Sequence, residues 1–194
     1  GLIEKAIQSK AHGVCRIALD SHLGVPWERW TKELREILKS RGVSPEFLDS
    51  KDYFRDAESL EKMIRPHLPE DPVFGKVFKG RLLDFLDKRK LAKIEKRVRT
   101  FVLDAELHPG ANALVCFGEG ATRIAPNHCF DYILYVDLCR EEILKRLKSG
   151  LVRPLGSKAV RPKRNQPKES GLPAYFSTRR LYYIDYPVLE KHRA

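Results

Sequence analysis

Gly13-Val14-Cys15-Arg16-Ile17-Ala18-Leu19-Asp20-Ser21-His22-Leu23-Gly24-Val25-Pro26-Trp27 decides how the rest of the chain is read. Val14 to Leu19 is an apolar, β-branched run of the kind that forms a buried strand. Asp20 to Val25 reads as a turn with one glycine, and Pro26 suits the first turn of a helix. Trp27, Trp30, Leu34, Ile37 and Leu38 then fall on one helical face. Arg41-Gly42 closes that helix with the basic side chain and glycine expected at a C-terminus. Strand, turn and helix make half of a βαβ unit.

Outward from there the alternation continues. A second strand is expected over Val43 to Asp49, followed by Ser50-Lys51-Asp52-Tyr53-Phe54. Helical patterns run through Ala57, Leu60, Met63 and Ile64, then Leu82 to Leu86, then Leu91, Ile94 and Val98. The prolines between Pro66 and Pro72 keep the first two apart. Ala113 to Phe117 and Tyr132 to Val136 are further strands, the first ending in Gly118-Glu119-Gly120-Ala121 and the second in Asp137. A helix follows with Leu138, Ile143, Leu144 and Leu147 inward, and Leu181 to Tyr186 reads as a terminal strand at about 181–186. A short helix is expected over Leu2 to Ala11. Near-continuous apolar strands alternating with helices predict an α/β protein, a three-layer parallel sheet with helices on both faces, in a single domain over 1–194.

The chain has 194 residues, with 37 Lys and Arg against 26 Asp and Glu, a formal charge of +11. Ten Lys or Arg and three Asp or Glu lie in residues 151–194, so +7 (10 − 3) is concentrated there, around a basic loop at about 153–173. That charge asks for an anionic partner. Hydrophobic residues make up 42%, enough for a packed core, and no apolar run is long enough to span a bilayer, so no membrane partner is expected. Cys15, Cys116, Cys129 and Cys139 form no CxxC pair and read as free thiols in a cytoplasmic protein. Gly1 in place of an initiator Met leads us to expect a longer natural chain.

In a parallel sheet, ligands bind beyond the carboxyl ends of the strands. Ser21, His22 and Gly24 lie where the first strand turns into a helix, the position of a phosphate-binding turn. Asp49 and Asp52 are candidate catalytic bases at the second strand end. Glu119 stands between two glycines that leave its carboxylate open to close approach. Arg140, Lys145 and Arg146 lie on the outer face of their helix, placed either as solvated charge or as a lid over an anion. The six histidines show no metal-ligand spacing, and Arg161, Lys163, Arg164 and Lys168 have no interleaved aromatics for stacking on bases.

This order of features, with Asp52-Tyr53-Phe54 after the second strand, Glu119-Gly120 after the third and Asp137 after the fourth, resembles the uridine kinase-like P-loop fold over roughly residues 13–150. The resemblance implies a phosphoryl-acceptor site near Asp49 and Asp52, Glu119 and Asp137 as metal residues if Mg²⁺ is bound, and Arg140, Lys145 and Arg146 as a lid. The phosphate loop departs from the family. Val25 and Pro26 stand where Gly-Lys-Ser/Thr would place the Lys and the metal-binding hydroxyl, so the loop is degenerate.

Asp71 to Phe78, Phe117 to Ala121, Tyr135 to Leu138 and Arg179 to Asp185 are in turn similar to segments of the kinase-like region associated with bacterial type I mannose-6-phosphate isomerases. That similarity implies an accessory domain in carbohydrate metabolism, with an isomerase cupin domain as partner in cis or trans. The chain has no cupin-like cluster of His, Gln and Glu for a catalytic zinc, so isomerase chemistry would lie outside it. The expected function is therefore binding of a phosphorylated small molecule, a sugar phosphate or nucleotide. An active phosphotransferase using Mg-ATP is the first alternative. Non-specific nucleic-acid binding through the basic loop is the second.

Overall fold

A computed structural model of the chain describes residues 13–70, 74–106, 111–149, 151–152, 154–156 and 178–193. The chain divides into two compact units. One comprises Gly1–Tyr53 with Asp87–Asp137, the other Phe54–Leu86 with Leu138–Ala194.

The first unit is an α/β sandwich. Its strands are β1 (Val14–Ser21), β2 (Val43–Asp49), β3 (Ala111–Gly118) and β4 (Tyr132–Val136), in the order β2-β3-β1-β4. All three ladders are parallel, pairing Val14 with Asn112, Ile17 with Tyr132 and Val43 with Ala111 at their starts. They bring Asp20 beside Gly118, Ser21 beside Val136 and Asp49 beside Phe117 at their carboxyl ends. From β1 the chain leads to β2 on one side of the sheet; from its neighbour β3 it leads to β4 on the other. Adjacent strands whose connections diverge in this way mark a topological switch point, the crevice where open α/β sheets bind ligands.

Helices cover both faces. Helix α1 (Trp27–Ser40) lies over the face that carries Phe47 and Phe117. The Trp27 ring sits 5.6 Å from Phe117, and the Arg35 guanidinium 4.4 Å from the Phe47 ring centre. The next elements in the chain are α2 (Ala57–Ile64), which belongs to the second unit, and α3 (Lys88–Glu106). Ile94, Val98 and Phe101 of α3 pack with Val14 and Ala18 of β1 and with Leu114 and Cys116 of β3 on the opposite face. Arg97 on α3 adds a hydrogen-bonded pair with Glu46 of β2, its Nε 3.1 Å from Oε1. The amphipathic reading of α1 holds only in part: Trp27 and Leu38 are buried, whereas Trp30 and Ile37 are 44% and 49% exposed. All four cysteines are free; Cys15, Cys116 and Cys129 are buried and Cys139 is exposed.

In the second unit, Asp56 caps α2, its carboxylate accepting the Ser59 N–H at 2.8 Å. Leu82 to Leu86, read as helical, form only a 3₁₀ turn, Leu82–Phe85. The Asp84 carboxylate there takes the Arg81 N–H, and Leu86 turns away to bridge Phe54. Helix α4 (Arg140–Lys148) follows, with Ile143 buried.

The terminal strand expected at about 181–186 is instead helical: a π-turn, Leu181–Asp185, runs into α5 (Tyr186–Arg193). The tyrosines give the segment strand-like composition, but Leu181, Ile184, Val188 and Leu189 are buried at helical spacing. Pro187 has no N–H to offer the Tyr183 carbonyl four residues back. Phe78 N–H takes that place at 2.7 Å, so the wide turn leaves no carbonyl orphaned there. The expected helix over Leu2 to Ala11 and most of the 153–173 loop, Arg161, Lys163, Arg164 and Lys168 included, lie outside the described residues.

At the end of β3, Gly118 adopts φ +107°, and a Cβ there would collide with the Ser50 hydroxyl. Gly118→Ala should destabilise the protein by about 1–3 kcal/mol, read from urea unfolding midpoints. An unchanged midpoint would show that the β2 and β3 ends do not approach this closely.

Candidate functional site

Asp20 organises the strand ends. It is fully buried, and an ionised carboxylate inside a protein is tolerated only when its oxygens are satisfied. Oδ1 accepts the N–H groups of Ser21 at 2.7 Å and Gly120 at 2.9 Å. Oδ2 accepts the N–H of Thr122 at 3.0 Å and the Thr122 hydroxyl. These charge-assisted bonds fasten the end of β1 to the Gly118-Glu119-Gly120-Ala121 turn beyond β3. Gly120, at φ +82°, supplies the left-handed residue the turn requires.

The turn so held carries Glu119, which is only 7% exposed. Burial pushes its carboxyl above the usual carboxylate range; Lys51 pulls the other way, while Asp49 and Asp20 raise it further. Asp49, at the end of β2, is raised for the same main reason, burial, against the Lys51 N–H bond at 2.9 Å and the Lys51 charge. Beside Gly118, the Ser50 hydroxyl is buried and has no hydrogen-bond partner among the described residues. Two raised carboxyls, a buried hydroxyl and one ammonium thus meet at the ends of β2 and β3. Buried polar groups in this state are what a hydrogen-bonding ligand satisfies.

The candidate phosphate turn has another character. The Ser21 hydroxyl accepts the Trp27 indole N–H at 3.1 Å. His22 is buried and its N–H donates to the Val136 carbonyl at 3.2 Å. Gly24 adopts φ +92° between the buried Leu23 and Val25. Pro26 has no N–H, and the Trp27 N–H is taken by the Val25 carbonyl at 2.9 Å. Three of the backbone positions from which a phosphate loop would donate are therefore already committed or lack a hydrogen.

Of the other candidates, Asp52 is exposed, and its charge contributes to raising Asp49 and Tyr53. Asp137 is exposed just past β4. Among the described residues no group of three or more His, Cys, Asp or Glu side chains is placed to hold a metal ion. The lid candidates lie on α4 of the second unit. The Arg140 guanidinium stands 5.1 Å from the Tyr182 ring centre and 5.8 Å from that of Tyr186. Arg146 bonds Glu142 at 2.6 Å, and Lys145 is exposed.

Sequence reasoning brought Asp49 and Glu119 into the site and missed Ser50, Lys51 and Thr122. Asp20 was within the turn it pointed to, but nothing local couples that carboxylate to a threonine beyond β3. The chain belongs to the family described as Domain of unknown function (DUF8485), whose model matches residues 2–194. No curated protein and no solved structure matches it significantly.

The raised Glu119 carboxyl makes a pH-dependent prediction. An acid whose folded-state pKa lies above its unfolded value stabilises the fold at low pH and loses that contribution as pH rises through the folded value. Glu119→Gln carries no such charge. It should therefore melt higher than the parent at pH 8, with the difference disappearing by pH 4, in melting temperatures measured across that range. A variant less stable than the parent at pH 8 would contradict this.

Proposed function

We propose that this DUF8485 protein is a kinase-like α/β protein with a degenerate phosphate loop, which binds a phosphorylated small molecule at its strand ends without transferring the phosphoryl group. The observation that carries the reading is the grouping of buried Ser50 and Glu119 with partly buried Asp49 and exposed Lys51 at a topological switch point. The hydroxyls of a sugar phosphate or of a nucleotide's sugar would donate to Asp49 and Glu119 and meet Ser50. The ammonium of Lys51 would face the phosphate. The committed N–H groups of the first turn and the replacement of its Lys and metal-binding hydroxyl by Val25 and Pro26 argue against the tight grip on a triphosphate that phosphoryl transfer needs. On this reading the protein serves carbohydrate metabolism as an accessory domain, and the resemblance to the region beside mannose-6-phosphate isomerases makes such a cupin its partner in cis or trans.

Thermal unfolding with a panel of sugar phosphates and nucleotides, each with and without Mg²⁺, tests this. A ligand held near a hundred times its Kd adds about 2.7 kcal/mol, which corresponds to a rise of roughly 5–10 °C for a chain of this size. A sugar phosphate should give such a shift without Mg²⁺, and the shift should shrink in Lys51→Ala and Glu119→Gln. Formation of ADP and a phosphorylated acceptor from ATP in the presence of Mg²⁺, abolished by Asp49→Asn, would replace this reading with an active kinase.

A further inference from the structure

The second unit carries a segment that is held rigidly yet left open. Phe74 to Gly80 has no helix or strand of its own, but it is pinned, mostly along one side. The Phe74 carbonyl accepts from the Arg179 guanidinium, and the Lys79 carbonyl from the Lys191 ammonium at 2.9 Å. The N–H of Lys76 donates to the His67 carbonyl at 2.8 Å and that of Phe78 to the Tyr183 carbonyl at 2.7 Å. The Phe78 ring is buried edge-on against His67 and Phe85, at 5.1 and 5.6 Å. Gly75 lies so close to the Tyr183 ring that a Cβ would come within 2.6 Å of it. Inward donation from residues 76 and 78 is the period-two pattern of an extended chain.

Along the other edge of this strap the one bond made among the described residues is that of Lys191 to the Lys79 carbonyl. Gly75, Val77 and Lys79 donate no backbone hydrogen bond among the described residues. Phe74 and Val77 are 68% and 52% exposed. Lys76, Lys79 and Arg81 are exposed with them, Lys191 adjoins Lys79, and no acidic residue occurs from Phe74 to Leu83. An extended edge whose alternate donors are unpaired among the described residues is a template for strand addition, and its ordering has already been achieved by the inward bonds. The positive rim selects the sign of what pairs there.

We propose that the outward edge of residues 74–80 binds an extended, acidic segment of a partner protein, added as a β-strand. Backbone bonds from Gly75, Val77 and Lys79 supply the register. Apolar residues of the segment cover Phe74 and Val77, and its carboxylates face Lys76, Lys79 and Arg81. This surface is independent of the strand-end site, so either can fail without the other.

Phe74 and Lys76 share one face of the extended strap, and Val77, Lys79 and Arg81 the other. Fluorescence anisotropy of the full chain with a short labelled peptide repeating Val-Val-Glu-Glu, which alternates valine and glutamate along each face, tests the proposal. The peptide should bind, and an unlabelled polyglutamate of equal charge should compete poorly. Val77→Pro removes one outward N–H and none of the inward bonds; it should weaken binding about tenfold with an unchanged melting temperature. If Val77→Pro melts lower, Lys76→Glu with Lys79→Glu provides the second variant and should abolish binding. No binding of the alternating peptide would overturn the proposal, leaving the lysines as simple guards against aggregation. Equal binding of polyglutamate, indifference to both variants, or displacement by a single-stranded oligonucleotide through the same residues would overturn it as well.

Discussion

The buried carboxylate of Asp20 is the constraint on which the strand-end architecture depends. Four donors, from Ser21, Gly120 and Thr122, converge on its two oxygens. Removing such a group from water carries a penalty of several kcal/mol, which only a full set of well-placed donors offsets. Because three of those donors, on Gly120 and Thr122, sit on the loop after β3, the energetic need of one residue on β1 dictates the path of the chain beyond the neighbouring strand. Glu119 is carried on that path and is turned into the protein, where it feels the charges of Asp49 and Lys51.

The resulting site is unlike a phosphate loop in the source of its polarity. A phosphate loop presents backbone N–H groups and a lysine to an anion. Here the first turn has spent its N–H groups on Val136 and Val25, and apolar side chains fill its interior. Polarity resides instead in carboxyls that burial holds above their ordinary range and in one buried hydroxyl. Such groups favour the hydroxyl-bearing part of a ligand over its phosphate, with Lys51 as the local cation. That arrangement suits recognition without phosphoryl transfer.

Much of the first unit was legible from the sequence because β1 and β3 are buried on both faces and β4 is apolar, although its Ile133, Leu134 and Tyr135 are partly exposed. Val14 to Leu19, interrupted only by Arg16, Ala113 to Phe117 and Tyr132 to Val136 stand out as apolar runs, and all three are strands. The helix from Trp27 was equally clear at its ends, but its apolar face is broader than the surface it covers, and Trp30 and Ile37 remain outside. Leu181 to Tyr186 misled because its tyrosines favour strands, whereas the deciding information was the spacing of Leu181, Ile184 and Val188 together with Pro187. In the site, Glu119 was visible through its flanking glycines. Ser50 was not, since only the close approach at Gly118 gives that hydroxyl significance. Long-range hydrogen bonds such as that from Thr122 to Asp20 leave no local pattern at all.

Residue-resolved hydrogen exchange at the Gly120 and Thr122 amides tests the central claim, that the Asp20 carboxylate builds the strand-end site. Both amides should exchange only with global unfolding in the parent protein, and should exchange far faster in Asp20→Asn, whose amide group can accept from fewer donors, while the β1–β3 ladder stays protected. Rapid exchange of Gly120 and Thr122 in the parent, or equal protection in Asp20→Asn, would contradict it.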